Sequence, residues 1–569
     1  MTSRLSFRCI HKAGQILLAW GLLVHGHIAL AEAQAELSDE QIKQRVEYHI
    51  MAAELAGQRG QLHFAAQEYL KALELSPSAE LAERATRVAL YAQTDEIALK
   101  SGLIWIAEQP ERYEARLLVA RLALRRGDIQ LAHAQSTALI WSHPKGVATA
   151  FRELALSMGS EPDHAAEAQK LMQRLVDDFP SEPSGHYALG MLALRQDEPL
   201  AAQHAAESAL LLRPNWADAI LLKITALLRQ DRQQEADELV ERLDGDDDWM
   251  ASLHMAYARL LLETEYSDAA IRQFEEALDY DDENPEALYA LGLLYLNAED
   301  YSEAYDYLAE LYDLQTPRQS EAAYYLGGIE ESRGEYEDAL EWYARVDDGN
   351  QALDAVQRSA YSLYKLDRLD EARDLLAATR SQHREDALRL YQVEGELLYQ
   401  ARAYKEAAQL YNRALKEYSD EPDLLYGRSL VSERLGRIAM AEKDLRRLLE
   451  LDPDDPRSLN ALGYILSNHS QRYDEALDLI SRALDQTPED ATVIDSMGWV
   501  QYRLGDLDAA LRYLSEAFEK MPDPEVAAHL GEVLWHMGQR DRAQNIWREA
   551  LRDDPDHPVL QETINRLTR

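Results

Sequence analysis

Eleven alanines recur along this chain at intervals of 33 to 35 residues: Ala202, Ala236, Ala270, Ala304, Ala339, Ala372, Ala407, Ala441, Ala476, Ala510 and Ala543. A small side chain required at one fixed place in so regular a beat restricts the fold to a linear stack of similar units, each burying its apolar face against the next. Between residues 46 and 557 apolar positions follow a helical period, and no stretch alternates apolar and polar with the β-branched enrichment of strands. The fold class is therefore all-α.

The unit that starts at Pro524 shows why the spacing has physical content. Gly531 is small where the first helix meets its neighbour, and Ala543 allows the second helix the same close approach. Trp547 and Ala550 fill the layer between hairpins, Gly538 turns the chain, and Pro555 stands where a third helix cannot run on. The preceding unit repeats this with Gly498, Gly505, Ala510, Leu514, Ala517 and Pro522, and the unit at Pro285 with Gly292, Tyr295, Ala304 and Leu308. This pattern resembles the tetratricopeptide repeat (TPR). The resemblance implies a helical-hairpin solenoid wound as a right-handed superhelix, and a protein that binds rather than catalyses. Unit starts fall near Val46, Ala79, Tyr113, Thr149, Pro183, Ala217, Ala251, Pro285, Ser320, Leu353, Leu388, Pro422, Pro456, Ala491 and Pro524, giving about fifteen hairpins. The early units are degenerate, with Thr86 and Leu156 where Gly or Ala is expected.

A linear array shares one long core and needs no domain breaks. The expected organisation is a signal peptide over 1–31, degenerate repeats over 32–250, a TPR superhelix over 251–557 and a capping segment over 558–569. The run Leu243-Asp244-Gly245-Asp246-Asp247-Asp248 is the best candidate for a junction, either a flexible one or a longer turn. At the start, Arg4, Arg8 and Lys12 precede the apolar stretch Ala13 to Val24, too short to span a bilayer comfortably, and Ala29-Leu30-Ala31 offers a cleavage site. This reads as a secretory signal, with export and a mature chain beginning at or just after Glu32; the alternative is an uncleaved anchor. The sole cysteine, Cys9, precedes the apolar stretch, so the mature chain would have neither a disulfide nor a lipid-modified N-terminal Cys.

Cleavage removes three basic and no acidic residues, moving the formal charge from −43 to −46. A field of that sign repels a polyanion, so nucleic acid is excluded as a partner class. Solubility accounts for most of the acidity. No GxSxG, HExxH, GxxxxGK or GxGxxG is present, nor a Cys-x-x-Cys pair for zinc. Asp244, Asp246 and Asp248 match the opening of a calcium loop, but Trp249 replaces its Gly and Met255 its closing Glu. No enzyme activity, cofactor or metal is expected.

The TPR resemblance places residues near positions 5, 9, 12 and 13 of each unit in the groove lined by first helices. In the last four units these are Tyr426, Leu430, Glu433 and Arg434; Asn460, Tyr464 and Asn468; Asp495, Trp499, Tyr502 and Arg503; and Trp535 with His536. Aromatic rings beside amides and guanidinium groups suit peptide capture, since rings bury area at low entropy cost. For Trp499 and Tyr464, packing between first helices is the equal alternative. A second enrichment, thirteen tyrosines between Tyr280 and Tyr364, includes Tyr289, Tyr324, Tyr325, Tyr361 and Tyr364 at groove-facing places and Tyr295 and Tyr343 at packing ones.

Residues 456 to 550 carry a more specific run: Leu459 to Tyr464, Asp495 to Gly505, and Pro522 to Trp535. It resembles exported proteobacterial TPR proteins, and in particular the lipoprotein adaptor of the periplasmic carboxyl-terminal processing protease. That resemblance implies a periplasmic scaffold that holds a protease and presents cell-wall hydrolases to it. The family's lipid anchor needs a Cys after the signal, which this chain lacks, so any outer-membrane association would run through a partner. The alternative is a periplasmic scaffold for exopolysaccharide secretion.

Overall fold

The computed structural model describes residues 38–347 and 349–568; the segment read as a signal peptide lies outside the described residues. Among the described residues the regular structure is helical throughout, fifteen helical hairpins followed by one further helix, Pro558–Thr568. None of these helices is long and apolar enough to cross a membrane.

The molecule comprises two compact units that divide between Ala287 and Leu288, within the first turn of Pro285–Asn297. The first unit holds seven hairpins, from Asp39–Gln58 with Leu62–Leu75 to Asp247–Glu263 with Ser267–Tyr280. The second holds the remaining eight, ending with Pro524–His536 and Arg540–Asp553, then the terminal helix. Predicted unit starts and observed helix starts coincide at nine places, among them Pro422, Pro456, Ala491 and Pro524. Elsewhere they differ by one to four residues, except at the N-terminus. There the first helix begins at Asp39, a full two turns before Val46, because Ser38 and Gln41 form a capping box that fixes its start.

All eleven periodic alanines are fully buried, and each is the fourth residue of a second helix. The beat continues upstream through Ala65, Ala98, Ala132 and Ala168, equally buried and at the same place. Four residues on, in six of the hairpins the second helix presents a large side chain to a glycine of the first helix. A methyl group on Gly498 would press into Leu514, and one on Gly531 would overlap the Trp547 indole. Burying a side chain such as Leu514 contributes about 2 kcal/mol by area.

The two departures noted in the early units have separate explanations. In the hairpin Ala79–Tyr91 with Asp95–Glu108 the sizes are exchanged: Thr86 is the larger residue on the first helix and Gly102 the small one on the second. The buried Thr86 hydroxyl donates to the Ala82 carbonyl at 2.7 Å, so the exchange leaves no orphaned polar atom. Leu156 does not occupy the small place at all. A 3₁₀ turn, Pro162–His164, lengthens that hairpin's connection, and Ala155 joins Met172 in the core while Leu156 faces solvent.

Between the helices of most hairpins, the residue two before the second helix takes a left-handed conformation. Gly505 and Gly538 do so without cost, whereas Glu299 and Asp367 adopt it at φ 59°. The Asp-rich junction is a helix start: the Asp246 carboxylate accepts from the Trp249 amide at 2.9 Å and caps Asp247–Glu263.

Candidate binding groove in the last four repeats

Four first helices, Pro422–Arg434, Pro456–His469, Ala491–Leu504 and Pro524–His536, contribute to one cavity of about 260 Å³ in the second unit. Their fixed repeat brings positions one unit apart to the same side, and seven predicted groove residues meet there, Tyr426, Arg434, Asn460, Tyr464 and Asp495 among them. Leu430 and Glu433 are the other two. Tyr399, from the preceding unit's first helix, and Thr492, Asp523 and Glu525, near the starts of the last two, complete its polar surface.

An internal network organises these groups. Arg434 donates to Glu525 Oε2 at 3.2 Å and to the Tyr399 hydroxyl oxygen at 3.1 Å, and lies 3.7 Å from Glu433. The Tyr464 hydroxyl donates to Glu525 Oε1 at 2.8 Å. Burial alone would raise the Glu525 pKa, but Arg434, His529 and Tyr464 outweigh it and hold the carboxylate below its usual range. Burial and the Glu525 charge push the Tyr464 phenol well above its usual pKa, keeping it a donor. His529 lies within 3.0 Å of Asp495 Oδ2 and 3.1 Å of Oδ1. Burial lowers the imidazole pKa, and the Asp495, Glu525 and Glu532 charges reverse that into a net rise.

The other predicted residues have different surroundings. Trp499 is 6% exposed and stacks on His529 with centroids 4.2 Å apart, so it floors the network from inside the core. Tyr502 donates to Glu532 at 3.0 Å and lies 3.2 Å from His536, forming a separate cluster that Arg566 of the terminal helix closes through Glu532 at 2.6 Å. Arg503 turns to the Tyr473 hydroxyl at 2.8 Å and the Asn468 carbonyl at 3.3 Å. Trp535 packs on Trp547, 5.6 Å between centroids, beneath Arg540. Sequence reasoning missed Glu525, which sits at the second residue of its helix, outside the groove-facing positions. Tyr399 follows from carrying position 12 one unit upstream.

Three tyrosines of the tyrosine-rich stretch are engaged by carboxylates of their own unit. Tyr289 donates to Glu321 at 2.7 Å beneath Arg318, Tyr324 to Asp354 at 2.6 Å, and the buried Tyr343 to Glu331 at 2.7 Å. His383, Glu385 and Asp386 bring ligand-type atoms within 4.8 Å of one another, but on a largely exposed 3₁₀ turn apart from the groove.

Tetratricopeptide repeat signatures match residues 256–316, 289–352, 358–422, 426–491 and 501–567. A TPR repeat-containing protein of Pseudomonas aeruginosa is 34% identical over 528 residues, 92% of this chain and 88% of that one. Shorter similarities are to the human protein O-mannosyl-transferase TMTC1, 27% over 180 residues, covering 31% of this chain and 20% of that protein. Cellulose synthase operon protein C of Xanthomonas axonopodis is 34% identical over 114 residues, 20% of this chain and 7% of its own length. The periodic alanines, the fifteen hairpins and the relative matched over most of both chains agree: this chain belongs to the tetratricopeptide repeat family.

Proposed function

We propose that this protein is a non-catalytic scaffold of the bacterial periplasm that holds an extended polypeptide across the first helices of its last four repeats. The observation that carries this reading is the cavity itself, where Tyr399, Tyr426, Asn460 and Thr492 leave aromatic and hydrogen-bonding surface between adjacent repeats. Export is supported by the basic start, the short apolar stretch and Ala29-Leu30-Ala31. The resemblance of residues 456–550 to the adaptor of a carboxyl-terminal processing protease supplies the finer reading, in which the scaffold presents cell-wall hydrolases to that protease.

Affinity capture from envelope extract tests both levels. Thr492 is exposed at the cavity, so Thr492→Trp obstructs it without entering the core. The variant should weaken capture of the principal partner by about 2 kcal/mol, the scale of an interface hot spot, at unchanged melting temperature. Full capture by the folded variant would remove the groove from consideration. The similarity to cellulose synthase operon protein C favours a second reading, a scaffold for polysaccharide secretion, and the identity of the captured proteins separates the two.

A further inference from the structure

Among the residues lining the groove, one fully buried acceptor has no donor. Asn460 lines the cavity and is 9% exposed, and its Oδ1 is buried with no hydrogen-bond partner. Each neighbouring acceptor is engaged: Glu525 by Arg434 and Tyr464, Asp495 by His529, and Glu433 by His469 at 3.0 Å. A buried acceptor left unpaired in such a network calls for an N–H or O–H from outside. The charge of the lining decides what kind. Glu433, Asp495, Asp523 and Glu525 face a single guanidinium, that of Arg434, and the balance stays negative with His529 protonated against Asp495. An anionic ligand is disfavoured and a cationic donor favoured. Tyr399 adds a ring face of the kind that attracts cations, and the Tyr426 ring shows the preference at work, since Arg457, paired with Asp423 outside the lining, lies 4.3 Å from its centroid. The volume, about 260 Å³, admits one long side chain and no folded element.

From these observations we infer that the cavity is a specificity pocket for a lysine or arginine side chain of the bound polypeptide, with Asn460 Oδ1 as its acceptor. The inference rests on the groove being the binding face and adds the chemistry of what enters it. The mature chain's acidity would steer such a basic segment toward the groove over distance.

The test uses the full chain and three fluorescent peptides, nine-residue Gly/Ser sequences, acetylated and amidated, with lysine, norleucine or glutamate at the centre. Anisotropy is followed to millimolar protein at low salt. The lysine peptide should bind at least tenfold more tightly than the norleucine peptide, and the glutamate peptide most weakly. Asn460→Leu should abolish the lysine preference while leaving the melting temperature equal or higher, because the amide oxygen it removes supports no contact in the fold. Asn460→Asp should strengthen lysine binding, which keeps the test decisive should the leucine variant fold poorly. Equal affinity for lysine and norleucine, a preference unchanged in both variants, or no binding of any peptide would overturn the pocket. Thr492→Trp tells the two levels apart. Peptides that bind irrespective of their central residue, and lose binding in Thr492→Trp, leave the groove standing and refute the cation pocket; peptides unaffected by Thr492→Trp refute the groove.

Discussion

A tyrosine hydroxyl donating to a carboxylate is the recurring polar contact of this molecule: Tyr69 to Glu54, Tyr257 to Asp237, Tyr289 to Glu321, Tyr464 to Glu525 and Tyr502 to Glu532. An acidic, tyrosine-rich composition is thereby partly a matter of construction, since each bond spares a buried phenol from desolvation unpaired. It also sets a pH limit. Burial, then the Glu54 bond and charge, push the Tyr69 pKa up to about 12, against about 10 for a free phenol, and Tyr257 and Tyr289 rise in the same direction. A raised folded-state pKa means that the contribution is complete below about pH 10 and is lost as pH rises through the folded value. Urea midpoints should therefore hold between pH 8 and 9.5 and fall steeply between pH 10 and 12, with a smaller fall in Tyr69→Phe. A flat midpoint to pH 12 would contradict the pairing. At this scale, sequence spacing located Tyr426, Arg434, Asn460, Tyr464 and Asp495 because a groove position repeats from unit to unit. It did not locate the ends of Arg503 and Trp535, whose directions are set by Tyr473 and Trp547, particular neighbours that no repeat average carries.

At the scale of the element, a hairpin is specified by where its two helices come closest. Ala510 and Ala543 are the clearest cases: each has no exposed surface, lies in the core cluster of the last repeats and occupies the fourth place of its helix. Ala510→Leu adds three heavy atoms where the neighbouring helix already stands, and should cost about 1 to 3 kcal/mol through overpacking. The same change at the exposed Thr492 should cost well under 1 kcal/mol, so the pair of urea midpoints checks the register. The left-handed turn residues give the opposite sign. Glu299 is exposed at φ 59°, so Glu299→Gly should stabilise by about 1 kcal/mol, visible as a higher melting temperature. The alanine beat runs on upstream through Ala65, Ala98, Ala132 and Ala168; what made the early units look degenerate is the small place on the first helix, where volume is traded between helices, as Thr86 and Gly102 do, and a pattern sought on one helix misses the trade. The inserted turn Pro162–His164 shifted the apparent register at Leu156 for a similar reason: connection length changes which residue faces the partner.

At the scale of the whole molecule, an array whose units touch only their neighbours should unfold piecemeal from its ends. The second unit departs from that rule. Arg434 reaches Glu525 across 91 residues of sequence, and Arg402 lies 3.5 Å from Asp554 still farther along. The Arg434–Glu525 pair is about three-quarters buried and shares Glu525 with Tyr464, so it links first helices three repeats apart through a network screened from solvent. Removing one charge would leave its partner half-desolvated. Arg434→Met should cost about 2 kcal/mol, the exposed portion moderating the penalty of a fully buried pair, and Arg434→Met with Glu525→Gln should recover most of that loss. Recovery of stability and recovery of cooperativity are different quantities here. With the pair intact, the last four repeats should lose structure in one step. In the double variant, similar in stability but unlinked, hydrogen exchange should show the terminal hairpin and Pro558–Thr568 opening independently of Pro422–Arg434. If the double variant keeps one common exchange rate across those helices, nearest-neighbour packing alone makes the block cooperative, and the long-range ion pair is incidental to it.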